Sequence, residues 1–490
     1  MSENIVKIKH LGIDFGSSST AVVGFTDEFD TPILFDFKGD YCFRTAIAKL
    51  RENRTYLYSL DAINLRAEQR GAYLFHNDLK ERIKDKHELA EQFLTELLTR
   101  IRDTECRGVR YDFSDLESVC YGHPEYLYRR GRADFIETMN RILPAVVKRV
   151  FGRKRVSIFG EGEPQLATVA YHISNSDKKG YPIERDEVIL TLDLGGYTLD
   201  MALLKADDDG VLKQIKSDSC EVVPGGTGKH ITEKICENIY TDYVFDDGVD
   251  RAKIALYTSG AADGVPLKYK SGGERISLRY TESARGKIHD TITVTESAPN
   301  NQDKSYTVRV GEIYDTVARI VRDFLERCTD EDDKKISHLL FTGGTSRIAR
   351  MRDHVIEQIK PWLATNRNEL HIDRYEDSRV FIGSSSVDRD SSYGWRADAR
   401  IPLKAEYAVA YGAALVARDR GVLKKGKMPR VDPTPEKGGL TREQEEHLRK
   451  RRIELKRIIN ELENGDIQSL YDIERKLKML HEAMGKFPRD

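Results

Sequence analysis

Two segments far apart in the chain share one design. "HLGIDFGSSSTAVVGF" at residues 10–25 and "VILTLDLGGYTLDMALL" at residues 188–204 each join an apolar strand pattern to another through an aspartate and a glycine-rich turn. The two copies are separated by more than the length of a typical domain. This repetition predicts an α/β protein with two related lobes, each of which contains a β-hairpin of this kind.

The two aspartates at these turns predict a phosphate site. Asp14 and Asp193 each lie where a strand ends in a glycine-rich turn, so both can face one ligand between the lobes. Backbone N–H groups of such turns bind phosphate oxygens, and glycine allows their close approach. Two carboxylates repel a polyphosphate unless Mg²⁺ lies between them, held largely through water. For a single copy, the alternative is an ordinary turn with a capping aspartate.

The rest of the chain divides by its periodicity and composition. Helical periodicity marks residues 87–105 and 132–151, whereas residues 264–310 are β-rich. Thr441 and Gln444 form a capping box that begins a helical hairpin. The predicted division is lobe I at 1–182, completed by 405–425; lobe II at 183–404, with a β-rich subdomain at 258–311 and a surface insertion at 366–404; a linker at 426–440; and a helical hairpin tail at 441–490.

Composition limits the kinds of partner and the cellular compartment that we expect for this protein. With Lys+Arg 79 and Asp+Glu 81 the formal net charge is -2, so no overall field recruits nucleic acid or an anionic membrane. The apolar runs are strand-sized, too short to span a bilayer. Six cysteines are scattered without a C-x-x-C pair. We therefore expect a cytoplasmic protein with reduced thiols, no structural zinc, and no nucleic-acid or membrane partner.

The stretch "PGGTGKHIT" at residues 224–232 looks like the phosphate-binding loop of nucleoside triphosphatases. The pattern G-x-x-x-x-G-K-[ST] requires a glycine where Val223 stands and Ser or Thr where His230 stands. Two of its fixed positions therefore fail, and the segment is not predicted to be such a loop. In this interpretation Lys229 is incidental.

Five segments in order resemble the nucleotide-binding domain of DnaK-type heat-shock chaperones (the heat-shock protein 70 family), within the actin-like ATPase superfamily. They extend over roughly residues 8–420 and are "GIDFGSSSTAVV", "LTLDLGGYTLDMALL", "IFGEGEPQLATVAYH", "HLLFTGGTSRIARMRDHV" and "EYAVAYGAALVA". The resemblance implies a two-lobed actin-like ATPase fold with duplicated ribonuclease H-like lobes. It implies slow hydrolysis of ATP to ADP with Mg²⁺ in the interlobe cleft, and a conformational switch. About 50 residues remain for the short C-terminal helical hairpin, too few for a standard peptide-binding domain, so we expect that domain to be lacking.

The resemblance also implies roles for single residues. Asp14, Glu163 and Asp193 correspond to the magnesium and water shell, and Lys80 and Asp200 to groups near the attacking water. Lys80, Glu163, Asp193 and Asp200 are the implied catalytic set. Besides Asp14, the implied nucleotide-binding residues are Gly16, Ser17, Ser18, Ser19, Gly195, Gly196, Thr198, Gly225, Gly226, Thr227, Lys253, Gly343, Gly344, Ser346, Arg347 and Glu406.

Several alternatives stay open at this stage. Lys80 can instead be one more basic residue on a charged helix, Asp200 a strand cap, and Arg347 a solvated residue at a helix start. The adenine-clamping segment around Lys253 follows the glycine turn more closely than in the family, and Glu406 stands where the family prefers aspartate. Alternative functions are a nucleotide-gated scaffold with little turnover and a filament protein like bacterial actins. A protein partner or client is expected, and the tail is its expected contact; the alternatives are that the tail packs on the chain's own lobes or on another copy of the chain.

Overall fold

The structure is a computed structural model of the 490-residue chain. It describes residues 4–26, 32–37, 41–52, 54–63, 72–106, 109–125, 131–153, 155–176, 183–207, 210–222, 227–239, 249, 253, 265–268, 275–281, 290–297, 304–328, 335–364, 371–374, 381–384, 400–402 and 404–424. The predictions for Gly225, Gly226, the linker and the helical hairpin tail lie outside these residues.

The helices and strands have the following bounds. The α-helices are α1 Leu60–Ile63, α2 His87–Arg102, α3 Gly131–Phe151, α4 Glu163–Ser176, α5 Gly228–Ile239, α6 Gly311–Glu326, α7 Ala349–Ile359 and α8 Ala408–Arg418. Short 3-10 helices occur at Gly344–Arg347, Lys360–Trp362, Ala405–Tyr407 and Arg420–Val422. The strands are β1 Asn4–Lys7, β2 His10–Phe15, β3 Ser19–Phe25, β4 Ile33–Leu34, β5 Phe43–Arg44, β6 Ile47–Leu50, β7 Tyr56–Tyr58, β8 Tyr73–His76, β9 Glu105–Cys106, β10 Val109–Asp112, β11 Ser118–His123, β12 Ser157–Gly162, β13 Val188–Leu194, β14 Thr198–Ala206, β15 Leu212–Glu221, β16 Val265–Lys268, β17 Arg275–Thr281, β18 Thr291–Ser297, β19 Lys304–Arg309, β20 Ile336–Thr342, β21 His371–Arg374, β22 Phe381–Ser384, β23 Arg400–Pro402 and β24 Leu423–Lys424.

Two large sheets contain the same arrangement of five strands. The first main sheet includes the order β12-β11-β2-β3-β4, and the second main sheet the order β21-β20-β13-β14-β15. In each, the three strands that come first in the chain are antiparallel, and the next two run parallel to the central one. The two predicted hairpins are confirmed as β2–β3 and β13–β14.

The second main sheet shows why its central strand is apolar throughout. Every residue of β13 is buried, because helices cover both faces of the sheet. Leu190 and Leu192 belong to a core that includes residues of α6 and α7. Ile189 points to the opposite face, into a core that includes residues of α4 and α8.

Helix α8 packs unusually close to its neighbours through two glycines. An ideal Cβ at Gly12 in β2 would lie 2.2 Å from the carbonyl oxygen of Ala410. An ideal Cβ at Gly412 would lie 1.8 Å from the carbonyl oxygen of Leu166 in α4. Glycine is required at both positions because any side chain would push α8 away from the first main sheet and from α4.

One part of the predicted division is wrong. Residues 366–404 were assigned to lobe II as a surface insertion, but β22 pairs with β4 and β23 pairs with β22, so both strands extend the first main sheet. The added strands satisfy backbone groups that the edge of β4 would otherwise expose. Conversely, β24 pairs with β15 in the second main sheet, although residues 405–425 were assigned to lobe I.

The other elements agree with the sequence patterns. Strands β16 to β19 form a four-stranded antiparallel sheet in the region predicted to be β-rich. Helices α2 and α3 lie where helical periodicity predicted them. Within the described ranges, no helix combines the length and the apolar character needed to cross a bilayer.

Candidate functional site

A cavity of about 380 Å³ lies at the two glycine turns that connect β2 to β3 and β13 to β14. Its volume falls in the range of small-molecule sites, roughly 300–1,000 Å³. The cavity is lined by most of the site residues that the sequence predicted: Asp14, Gly16, Ser17, Ser18, Ser19, Lys80, Glu163, Asp193, Gly195, Gly196, Thr198, Asp200, Lys253, Gly343, Gly344, Arg347 and Glu406. Segments that are distant in the sequence therefore meet at one place.

Two predicted residues of the described chain lie behind the cavity wall. Ser346 is buried, and its Oγ donates to the carbonyl oxygen of Gly343 at 2.7 Å. Thr227 is fully buried, and its Oγ1 has no hydrogen-bond partner among the described residues. Other residues line the cavity without having been predicted as site residues. Some lie inside the quoted segments, namely Tyr197, Gly228, Thr345, Ile348, Tyr407 and Val409, and the others lie outside them, namely Tyr41, Cys42, Arg44, Lys404 and Ala405.

Lys80 forms a buried ion pair with Glu163 at the beginning of α4. Lys80 Nζ lies 2.5 Å from Glu163 Oε1, and the two side chains are only 8% and 6% exposed. Burial alone would lower the pKa of Lys80, but Glu163, Asp14 and Asp200 outweigh this effect and raise it. The alternative that Lys80 lies on a solvated helix face is therefore wrong.

The carboxylates around Lys80 are buried and close enough to raise one another's pKa. Burial raises the pKa of Asp14 to about 6, with a further contribution from Asp200, although Lys80 lowers it. Burial raises the pKa of Glu163 to about 8, against the opposing effect of Lys80. Burial, followed by the charges of Glu163 and Asp200, raises the pKa of Asp193 well above its usual value. The site carries more negative charge than Lys80 compensates, which favours a bound cation.

Asp200 is held in a fixed orientation next to this group. It lies opposite Asp193 across the β13–β14 pair. Its Oδ1 accepts from the backbone N–H of Glu125 at 2.7 Å, and its Oδ2 accepts from Thr198 Oγ1 at 2.5 Å. Glu125 is itself buried, and its carboxylate accepts from Gln165 Nε2 at 2.8 Å. The sequence indicated a role for Asp200, but it did not predict the hydrogen bonds that hold its carboxylate in place.

A third glycine turn follows β20 and closes the cavity. Gly343 has a φ of 81°, and an ideal Cβ there would lie 2.4 Å from Asp193 Oδ1. Only glycine combines that backbone conformation with so close a carboxylate. Thr345 Oγ1 donates to the carbonyl oxygen of Gly195 at 2.7 Å, so the third turn is tied to the second.

The far end of the cavity contains a second ion pair. Arg347 NH1 lies 2.8 Å from Glu406 Oε1, with side chains 14% and 22% exposed. Arg347 is therefore paired and largely buried, and the alternative of a solvated residue at a helix start is wrong. Glu406 Oε2 is buried and has no hydrogen-bond partner in the described part of the chain. It can accept a hydrogen bond from a ligand in the cavity.

The predicted magnesium ligands suit an ion held through water. Asp14, Glu163 and Asp193 line the same cavity and offer carboxylate oxygens, the donors that Mg²⁺ prefers. Within the described ranges, no three acidic, histidine or cysteine side chains form a group that could bind one ion directly. Because Mg²⁺ commonly keeps several water ligands, these carboxylates fit an ion whose contacts with the protein are mostly indirect.

Comparisons with known proteins find distant similarity to one kind of chaperone. No family model matches the chain. It is 27% identical over 198 residues to the chaperone protein DnaK of Thermoplasma volcanium, covering 39% of this chain and 29% of that protein. It is 28% identical over 199 residues to DnaK of Thermoplasma acidophilum, with coverage of 39% and 29%. It is 20% identical over 386 residues to DnaK of Mycoplasma mobile, with coverage of 75% and 57%.

These similarities support a distant relationship to the nucleotide-binding domain of DnaK-type chaperones. The aligned part spans between 29% and 57% of the length of these three relatives. The mixed α/β fold with several sheets is compatible with that relationship.

Proposed function

We propose that this chain is a slow, Mg²⁺-dependent ATPase related to the DnaK-type chaperones. It binds ATP or ADP in the cavity between the two glycine turns and changes conformation on hydrolysis. The observation that supports this most is the buried Lys80–Glu163 pair, surrounded by Asp14, Asp193 and Asp200 beside those turns. Lysine and carboxylate side chains are seldom fully buried unless they are paired, and buried charged groups with perturbed pKa values in a cleft cluster at functional sites.

The two glycine turns are proposed to bind the phosphates. Backbone N–H groups in residues 16–19 and 196–198 can donate to phosphate oxygens, as can the hydroxyls of Ser17 and Ser18. The Gly195 N–H donates instead to the carbonyl oxygen of Thr198, and the Thr198 hydroxyl donates to Asp200. When bound, Mg²⁺ held through water by Asp14, Glu163 and Asp193 neutralises phosphate charge. The Arg347–Glu406 pair is proposed to contact the adenosine, with Glu406 Oε2 as a further acceptor.

Hydrolysis is proposed to proceed by in-line attack of water on the γ-phosphate. Catalysis then depends mostly on positioning and on charge compensation. Asp200, fixed by the Glu125 N–H and by Thr198, is placed to accept a hydrogen bond from the water. The Lys80 ammonium stabilises negative charge as it develops on the phosphoryl oxygens.

The test follows ADP production from ATP in wild type and in Lys80→Met. We expect slow Mg²⁺-dependent turnover in wild type and a fall of about 10²- to 10³-fold in the variant. ADP affinity should stay nearly unchanged, since Lys80 acts mainly in the transition state. Lys84→Met is the matched control, because Lys84 is on the same segment but 65% exposed. A wild-type protein without turnover contradicts the proposal.

A nucleotide-gated scaffold with little turnover is the second candidate. It is favoured by the buried Lys80–Glu163 pair, because Glu163 Oε1, 2.5 Å from Lys80 Nζ, offsets the positive charge with which Lys80 would stabilise a phosphoryl oxygen. Such a protein would bind ATP and ADP and change conformation, yet release no ADP from ATP over time.

A further inference from the structure

The segment that carries Lys80 contacts three separate parts of the molecule. It comprises residues 77–86, and we refer to it as the lysine segment. Leu79 and Ile83 are buried in the hydrophobic core that also contains residues of the first main sheet, α2 and α3. Lys80 pairs with Glu163, and its neighbour Glu81 pairs with Lys229. The side chains at positions 79, 80 and 81 therefore attach the segment to the hydrophobic core, to Glu163 and to Lys229, respectively.

Lys229 reaches this segment from the other side of the cavity. It is the second residue of α5, whose residues Ile231 and Ile235 are buried in the core around the second main sheet. Its Nζ donates to the carbonyl oxygen of Asn77 at 2.9 Å and lies 3.5 Å from Glu81 Oε1. Its backbone N–H donates to the carbonyl oxygen of Gly196 at 2.8 Å. Lys229 therefore connects the second glycine turn to the lysine segment.

The burial of this pair makes each partner depend on the other. The side chains of Lys229 and Glu81 are both 8% exposed. Glu81 Oε2 is buried and accepts no hydrogen bond from any residue that the structure describes. Removal of one charge would leave the other buried and uncompensated, and such changes are strongly destabilising locally.

We propose that Lys229 and Glu81 form a latch that positions Lys80. Lys229 is thereby a positioning residue for hydrolysis, an inference that rests on the proposed ATPase function. Because Glu81 directly follows Lys80, movement of the Glu81 backbone displaces the Lys80 ammonium. The latch joins the lysine segment, which packs in the core beside the first main sheet, to α5, which packs in the core beside the second. Lys80 is therefore held in place only while the two sides of the cavity are closed together. Lys229 is then not incidental, as the sequence alone had indicated.

The first test is a double-mutant cycle on turnover. Lys229→Met and Glu81→Gln remove the charges with little change of shape, and the double variant combines them. We expect each single change to lower kcat by on the order of 100-fold, as for a displacement of about 1 Å at a catalytic group. The double variant should lose little more, since both changes remove the same interaction. ADP affinity should remain close to wild type in all three.

The second test does not depend on activity. Amide hydrogen exchange of residues 77–86 should be faster in Lys229→Met and in Glu81→Gln than in wild type. Lys229→Arg keeps the charge and should preserve most of the protection and most of kcat. The matched control is Lys84→Met, which removes an exposed pair with Asp134 from the same segment and should change neither quantity.

Two results would overturn the latch. The first is amide hydrogen exchange of residues 77–86 that is the same as in wild type in both Lys229→Met and Glu81→Gln. The second is a double variant whose loss of kcat equals the combined losses of the two single variants. A wild-type protein that does not hydrolyse ATP would refute the proposed function instead. Even then, the exchange measurements would decide whether Lys229 holds the lysine segment.

Discussion

The β2–β3 hairpin and the β13–β14 hairpin have the same backbone design but different chemistry. In both, seven positions separate the turn aspartate from the residue that faces it across the pair. Asp14 faces Ala21, whereas Asp193 faces Asp200. The second hairpin therefore brings two carboxylates to the cavity and the first brings one. The repeated hairpin provides two glycine turns that can bind phosphate, but the two hairpins do not bring the same number of acidic groups to the cavity.

The surroundings of the two turn aspartates reinforce this difference. For Asp14, the lowering effect of Lys80 is second only to burial, and the pKa rises to about 6. For Asp193, Glu163 and Asp200 both raise the pKa further and Lys80 contributes least. The positive charge of Lys80 therefore offsets the negative charge of Asp14 more than that of Asp193. Two equivalent positions in a repeated fold can therefore differ in the charge of the groups that surround them.

The largest effect is expected from loss of either turn aspartate. Asp14→Ala or Asp193→Ala should lower Mg²⁺-dependent turnover by about three orders of magnitude, a loss at the upper end of that for one charge-stabilising group. The double variant should lose little more, because residues that act on one ion are not additive. ADP production and Mg²⁺-dependent nucleotide binding are the measurements. Full activity in both single variants would show that the hairpins do not share a site.

A smaller effect is expected when the second hairpin is made like the first. Asp200→Ala gives the second hairpin an alanine at the position equivalent to Ala21 of the first. It should lower kcat by roughly 10²-fold, as for loss of a group that binds the attacking water. It should raise Tm in metal-free buffer at neutral pH, since one source of repulsion on Asp193 is removed. Asp218→Ala, on the neighbouring strand, is the control. A lower Tm would mean that the bonds from Glu125 and Thr198 to Asp200 outweigh the repulsion.

The pH dependence of stability should reveal the raised pKa values. The pKa of Asp14 rises from 3.8 to about 6 and that of Glu163 from 4.5 to about 8, in both cases chiefly through burial. The folded state then binds more protons than the unfolded state between these values, so these groups make stability fall as pH rises from about 4 to about 8. We expect Mg²⁺ to oppose this fall, because it competes with the protons.

Thermal unfolding from pH 5 to 8, with and without Mg²⁺, measures this dependence. A Glu163→Gln variant, which cannot titrate at that position, should show a shallower slope than wild type. Identical slopes in the two proteins would contradict the raised pKa of Glu163.

The smallest effect on the site is expected from removal of the tail. The two β-hairpins and the cavity lie within residues 10–409, whereas the predicted helical hairpin tail at 441–490 lies outside the described residues. A chain ending at Gly439 should bind Mg²⁺ and ATP as the full chain does. Its oligomeric state or its capture of a protein partner should change, as sedimentation and pull-down can show. Loss of nucleotide binding would mean that the tail belongs to the structural core.

Local patterns predicted the hairpins because their information is local. Alternating apolar strands, an aspartate and glycine-rich turns fix β2–β3 and β13–β14 without reference to the rest of the chain. The same holds for α2 and α3, whose apolar faces recur at helical spacing. Asp14, Asp193 and their glycine turns followed from these patterns, whereas the other predicted residues of the cavity rested on the family resemblance.

What could not be predicted depends on contacts between distant segments. The string "FHNDLKERIKDK" is dense in charge, so Lys80 appears exposed until Leu79 and Ile83 are seen to pack into the core. Lys229 gains its role only from Glu81 and Asn77, far away in the sequence. The pairing of β22 with β4 is likewise a choice between sheet edges, and no local pattern specifies it.

The position of α8 has a consequence for the synthesis of the protein. Gly12 is synthesised about 400 residues before Ala410 and Ala414 of the helix that contacts it. At about 5–20 residues per second, β2 waits roughly 20 to 80 s for its packing partner to leave the ribosome. Nascent chains that end before residue 405 should therefore be cleaved by protease within the first main sheet, and chains that extend past residue 424 should resist. A chain synthesised in this order keeps an apolar face of the first main sheet uncovered until α8 emerges, so the rate of translation sets how long that face is open to aggregation.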